Sequence, residues 1–204
     1  MYEDHQKTIG EYARLSPDNL AHVMQFVIVT IRTPLYRVAD DLEIAREDGE
    51  DAPATLWGWK YKAFHDIAHN AQKTYSYLEH VNAHGGDDET RTLAMISYLA
   101  DLPGFGLAKA GFVTQLAYGL GGCLDTHNLQ RFRIGPSAFK GYKERKTAKA
   151  RHKLAKRYVS AVYALGGPST LWDSWCQYVA LNQPTTYDDL DHVSRLHCEA
   201  LGLT

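Results

Sequence analysis

The sequence predicts an all-α protein, and three observations carry that reading. Helix-start signals recur along the chain, as at Ser16-Pro17-Asp18, where a capping hydroxyl precedes a proline at the first helical position. Apolar residues return at intervals of three and four, as in Leu35, Val38, Leu42 and Ala45. No alternation of apolar and polar residues lasts long enough for a strand, although Phe26 to Ile31 is rich in β-branched side chains.

Taken in order, the first helix expected follows Pro17 and carries the apolar run Val23 to Ile31. Thr33-Pro34 restarts a second, which leaves into an acidic loop from Glu47 to Pro53. A long third helix, Thr55 to Val81, would hold Trp57, Trp59, Tyr61, Phe64, Tyr75 and Tyr77. Gly85-Gly86-Asp87-Asp88 closes that unit and caps the next helix, which stops at Asp101-Leu102-Pro103. Another begins near Leu107, giving a helix-hairpin-helix over about residues 90–118, and a further helical stretch starts at Asp125. Gly135-Pro136 breaks the chain before a basic helix over about 139–165, which ends at Gly166-Gly167-Pro168. Helices at Ser169–Leu181 and Tyr187–Leu201, separated by Gln183-Pro184, complete the chain.

A length of 204 residues suffices for one domain with a real core, or for two small lobes around a cleft; we read it as one compact unit. No run of about eighteen apolar residues occurs and Met1-Tyr2-Glu3-Asp4-His5 does not resemble a signal peptide, so a cytoplasmic protein without a membrane partner is expected. Cys123, Cys176 and Cys198 are too few and too scattered for a disulfide framework or a four-cysteine metal site. The net charge of −2 conceals an asymmetry: nine Lys or Arg against the single acid Glu144 between Lys140 and Arg157, leaving the rest at −10. Such a segment can be a solvated helix face, or it can neutralise phosphates on a nucleic acid.

The chemistry concentrates between residues 99 and 127. Leu102-Pro103-Gly104-Phe105-Gly106 allows a tight hairpin, with Gly104 and Gly106 accepting a positive φ or a very close backbone approach. The helix starting at Leu107 then presents free N–H groups and the positive end of its dipole, which suit a phosphate oxygen. About twenty residues on, Leu124-Asp125-Thr126-His127 places a carboxylate either as a helix cap or as a group aimed into a cleft.

In these residues the chain resembles the helix-hairpin-helix DNA glycosylase superfamily. That family carries a Leu-Pro-Gly-hydrophobic-Gly hairpin followed by a Val-Asp-Thr-His-like segment with a catalytic aspartate. The likeness covers roughly residues 90–133. It implies a two-lobed helical domain that binds DNA and acts on a base flipped from the duplex, without a cofactor. Asp125 would stabilise positive charge developing on the sugar or activate water, with Lys109 and His127 as neighbouring catalytic candidates. Gly104, Phe105, Gly106, Leu107, Ala108 and Lys109 would hold a backbone phosphate, and Lys149, Lys153 and Lys156 would add charge. Bifunctional members place a Schiff-base lysine where this chain has Ala108. Lys109, one residue later, is turned by about 100°, which favours glycosylase-like chemistry without lyase activity. Gly-Phe-Gly-Leu-Ala-Lys-Ala-Gly-Phe with Cys-Leu-Asp-Thr-His-Asn is also similar to divergent phage members linked to thymine hypermodification, which implies transfer of an amine or amino acid onto an activated base in a host cytoplasm. A noncatalytic DNA-binding module is the third reading.

Trp57 and Trp59, two apart on a helix, cannot share a face, so one of them borders a groove or an interface; an exposed ring there is a candidate to stack on an extruded base or to fill the gap it leaves, and Gln115 and Asn128 are candidates to read base edges. His65 and His69 stand at i and i+4, but no third ligand accompanies them and no metal site is expected.

Overall fold

A computed structural model describes residues 2–47, 56, 58–182 and 190–203. Every regular element among them is a helix. The expected acidic loop beyond Glu47, Thr55, Trp57 and the segment around Gln183-Pro184 lie outside the described residues.

Two helices form the interior. Helix α2 (Pro17–Val29) is capped by Ser16, whose hydroxyl accepts from the Asn19 amide, with Pro17 in its first turn. It is buried continuously from Val23 to Val29, as a helix must be when apolar side chains occupy all its faces. Around it pack α1 (Tyr2–Ala13), α3 (Leu35–Glu47), α4 (Gly58–His69) and α5 (Ala71–His84). The second interior helix, α7 (Leu107–Tyr118), is buried from Ala110 to Ala117 and packs on α2, α1 and α6 (Asp88–Asp101). Helices α8 (Thr126–Arg131), α9 (Ala148–Ala164), α10 (Gly167–Asn182) and α11 (Leu190–Ala200) complete the order, and α11 returns to lie on α1, α3 and α10.

Three expectations about elements are corrected. The long helix of 55–81 is two helices, divided at Asn70, whose side-chain amide donates to the Asp66 carbonyl at 2.8 Å. An asparagine that bonds its own backbone this way favours a helix end over a helix interior. The basic helix does not span 139–165: it starts after the Thr147 cap, and residues 139–147 form turns that include Gly141 at φ +74°. Lys140, Lys143, Arg145 and Lys146 therefore sit on a loop. Helix α1 is an addition to the expected set, and its sequence signal is weak because, among its described side chains, Ile9 and Ala13 are the only apolar ones that reach full burial.

Helix α9 runs antiparallel to α6. At one end the Arg151 guanidinium pairs with Asp101 at 3.5 Å; at the other the hydroxyls of Tyr163 and Thr92 lie 2.8 Å apart. The basic loop is thereby laid beside the hairpin, where Lys143 Nζ donates to the Leu102 carbonyl at 2.5 Å. No described helix is long and apolar enough to cross a membrane.

Candidate functional site

The hairpin joins α6 to α7 through Leu102–Gly106. The Phe105 amide donates to the Leu102 carbonyl at 3.2 Å, and Gly104 takes φ +77°, a conformation that a side chain disfavours. A Cβ on Gly104 would stand 2.5 Å from the Cβ of Ala63, so this glycine lets the hairpin seat against α4. Gly106 does not take the positive φ. Its φ of −141° is extended backbone open to any residue, and a Cβ there would meet nothing within 4 Å. Gly106 caps α7 without a side-chain acceptor, which leaves the first-turn amides of Leu107, Ala108 and Lys109 without an intrahelical partner.

After α7 the chain turns back through Gly119 to Gly122, and the segment to Asp125 lies directly on the helix. Gly111 permits this approach, since a Cβ there would collide with the Gly122 carbonyl oxygen. Three side chains fasten the segment. Tyr158 on α9 donates to the Gly122 carbonyl at 2.7 Å and accepts from the Leu124 amide at 2.8 Å. Gln115 accepts from the Cys123 amide at 3.2 Å and donates to the Pro168 carbonyl at 2.7 Å. Asn128 donates to the carbonyls of Cys123 at 2.7 Å and Leu171 at 3.2 Å. Gln115 and Asn128, expected as base readers, are buried and fasten backbone; Gln115 also lines a cavity beside Asp125, and the Asn128 Oδ1 is buried without a hydrogen-bond partner among the described residues.

This framework sets Asp125 at the head of α8. Its Oδ1 accepts from the amides of His127 at 3.1 Å and Asn128 at 3.0 Å, so the carboxylate is a helix cap. Its Oδ2 forms no hydrogen bond with the described residues. The side chain also borders two cavities. The larger, about 510 Å³, has one wall from Thr30–Pro34 after α2 and another of aromatic rings: Phe112, Trp172, Trp175 and Tyr178. The smaller, about 420 Å³, opens between the α7 start and the loop bearing Lys140 and Lys143. Lys109, Asp125 and Thr126 border both.

Lys109, expected as a phosphate contact, lies between the first turn of α7 and the end of α2. It is half-buried, with Nζ 3.5 Å from the Thr30 hydroxyl and 5.5 Å from the centre of the Phe112 ring, a cation–π arrangement. The negative C-terminal end of α2 draws cations here. Lys60 is buried nearby and donates to the Val29 carbonyl at 3.2 Å; burial lowers its pKa, with Asp41 partly opposing. His127 stacks on Tyr178, ring centres 3.6 Å apart, in the larger cavity. Cys123 also lines it, but burial, with the Asp125 charge adding, pushes its thiol up to about 12, so the sulfur stays protonated near neutrality.

The remaining candidates scatter. Trp59 is 47 % exposed and lies beside the hairpin rather than in a cavity; Trp57 lies outside the described residues. Lys149, Lys153 and Lys156 are exposed on α9, but Lys156 borders Asp87, Asp88 and Glu89 at the far end of α6, about 20 Å from the hairpin by helix rise. His65 packs on Tyr61 while His69 is exposed, and no group of three metal-ligating side chains occurs among the described residues. Sequence reasoning missed the ring wall of α10. Its signal was Trp172, Trp175 and Tyr178, spaced by three along one helix face.

Comparison with protein-family models, with curated proteins and with solved structures returns no match for the chain.

Proposed function

We propose that the protein binds DNA and acts on a base rotated out of the duplex into the larger cavity. The observation that carries this reading is the convergence of a carboxylate with an uncommitted oxygen, a lysine and an aromatic wall in one cavity, at the end of a glycine hairpin. A cavity of about 510 Å³ is within the range that holds a small organic ligand, and the rings of Trp172, Trp175 and Tyr178 offer π-faces to a base. In this reading α6 to α10 form the hairpin lobe of a helix-hairpin-helix glycosylase-like fold, α1 to α5 with α11 form the other, and the cavity is the cleft between them.

The free amides of Leu107 to Lys109, with Lys140 and Lys143 across the smaller cavity, hold backbone phosphate by charge and hydrogen bonds. Asp125 Oδ2 faces the sugar of the rotated nucleotide. For base removal it stabilises the positive charge that grows at the anomeric carbon and takes a proton from the attacking water, while the carbon–nitrogen bond breaks and its electron pair leaves with the base. Lys109 supplies positive charge toward the departing base. Its engagement with Thr30 and Phe112 directs it to the α2 end of the cavity, which agrees with chemistry that forms no imine.

The smaller cavity favours a second reading, in which the base is modified by group transfer. It meets the larger one at Asp125 and Lys109, so a second reactant such as an amine has room beside the base. Incubation with DNA carrying modified pyrimidines, followed by separate analysis of released bases and of digested nucleosides by mass spectrometry, tests both. A free base supports the first reading, and a new nucleoside mass supports the second. Neither product from any modified DNA, with Asp125→Asn indistinguishable from wild type, leaves a noncatalytic binding module.

A further inference from the structure

Three cations gather at the C-terminal end of α2. Lys60 donates to the Val29 carbonyl and to the Thr33 hydroxyl at 3.4 Å, and Lys109 Nζ reaches the Thr30 hydroxyl, so both answer the partial negative charge of a helix end. The third, Arg32, is exposed, and its guanidinium forms no hydrogen bond or ion pair with the described residues. Burial lowers the Lys60 pKa, Asp41 partly opposes this, and the charges of Lys109 and Arg32 lower it further, which puts the three cations within reach of one another. Asp41 is itself paired with Arg37 at 3.2 Å.

The backbone at Arg32 is strained. It takes φ +58° in the turn that leads from α2 to Pro34, a conformation that glycine or asparagine would hold at lower cost. A long cation kept in such a place fits a residue held for its side chain. Arg32 borders the larger cavity with Thr30, Thr33 and Lys109. The cationic side chains on that border, Arg32 and Lys109, stand against the one carboxylate of Asp125 and leave a surplus of one positive charge. An ordinary base is neutral, and the aromatic wall answers only its faces. A single negative charge entering with the base balances the cavity, and a planar guanidinium beside an ammonium suits a carboxylate.

We propose that the α2 end of the larger cavity is a carboxylate subsite, in which Arg32 and Lys109 receive an acidic substituent carried by the rotated base. This inference rests on the DNA-binding reading above and names its substrate class, a base bearing one negative charge. Arg32 is the discriminating residue, since Lys109 also serves the chemistry beside Asp125.

The test measures affinity for two short duplexes that differ at one position, carboxycytosine in one and hydroxymethylcytosine in the other, across a salt series. The substituents are similar in size and only the first is charged. The wild type is expected to prefer the carboxycytosine duplex by about ten- to a hundredfold, the worth of a hydrogen bond between charged groups. Arg32→Ala loses that preference and Arg32→Lys keeps part of it. Arg32→Gly separates the side chain from the fold: it too loses the preference, yet melts close to or above wild type, because glycine takes φ +58° without strain. Equal affinity of the wild type for the two duplexes overturns the subsite while leaving the DNA reading intact. A loss of equal size on both duplexes in Arg32→Ala, with a shallower salt slope, overturns it as well, since the charge would then serve the sugar–phosphate backbone. A preference that survives in both Arg32→Ala and Arg32→Gly removes Arg32 from the subsite and overturns the assignment. Failure of the wild type to bind either duplex at low salt overturns the DNA reading, and the subsite with it.

Discussion

The hydroxyl of Tyr158 closes on the Gly122 carbonyl at 2.7 Å, and through this bond α9 holds the segment that delivers Asp125. The same oxygen accepts from the Leu124 amide, so one buried side chain satisfies two backbone groups. Burial raises the Tyr158 pKa well above its ordinary value, which keeps the hydroxyl protonated and able to donate. Tyr158→Phe is expected to leave both groups unpaired in the interior and to cost about 1–3 kcal/mol for the orphaned amide alone. Chemical denaturation checks the cost. Weaker catalysis in the folded variant, with DNA affinity retained, is the accompanying expectation.

Asp125 has two separable parts. Asp125→Asn keeps an oxygen able to cap α8 but removes the charge, so it should melt near wild type, bind DNA and lose about a hundredfold or more in turnover. Asp125→Ala should lose the cap too, at about 1 kcal/mol. Thermal melts beside activity assays separate the two effects, and equal activity in wild type and Asp125→Asn contradicts the catalytic part.

The hairpin glycines should respond differently. Gly104→Ala places a Cβ 2.5 Å from Ala63 at a positive φ, and both strain and overpacking then act, at about 1–3 kcal/mol or more together. Gly106→Ala meets open space at an extended φ and should be near neutral for stability. Gly106→Val, equally free of internal clash, tests whether a phosphate approaches here: DNA affinity should fall while the melting temperature holds.

Charge reversal should map the DNA path. Lys140→Glu with Lys143→Glu, beside the hairpin, is expected to weaken binding to all sequences and to reduce the log–log salt slope by about 0.9 for each phosphate no longer neutralised. Lys156→Glu, beside Asp87 and Asp88 at the other end of α6, should have much the smaller effect. Equal effects would place the duplex along the whole of α9.

His197 is fully buried among Phe26, Phe112, Trp172 and Trp175, and burial lowers its pKa to about 4. The unfolded chain takes up this proton near pH 6.5, so stability is lost as pH falls from about 6.5 toward 4, by about 3 kcal/mol for a shift of this size. His22, lowered to about 4 by burial, acts in the same direction. Melting temperature against pH should decline across this window, and less steeply in His197→Phe.

The sequence exposes the elements whose signals are local. Ser16-Pro17, Asp87 and Asp125 each begin a helix in the structure as a cap should, and Gly104 takes the positive φ that its place in the hairpin suggests. What it hides depends on tertiary approach. Gln115 and Asn128 are the right residue types for reading a base, but only the folded chain shows their amides turned onto Cys123, Pro168 and Leu171. Register relative to Ala108 turns Lys109 away from the place of a Schiff-base lysine. It turns inward because the C-terminal end of α2, which no local pattern locates, lies across from it. The α10 rings form a wall only because Cys123, Asp125 and Thr126 and the turn at Thr30–Pro34 close other sides.

Whether Asp125 acts on a base held in the larger cavity is decided by incubating wild type and Asp125→Asn with DNA bearing modified pyrimidines and following released bases and altered nucleosides by mass spectrometry. Wild type is expected to yield a product, Asp125→Asn at least about a hundredfold less at equal DNA binding, and borohydride to trap no enzyme–DNA adduct. Product formed at the wild-type rate by Asp125→Asn, or a trapped adduct that disappears in Lys109→Ala, would contradict this role for Asp125.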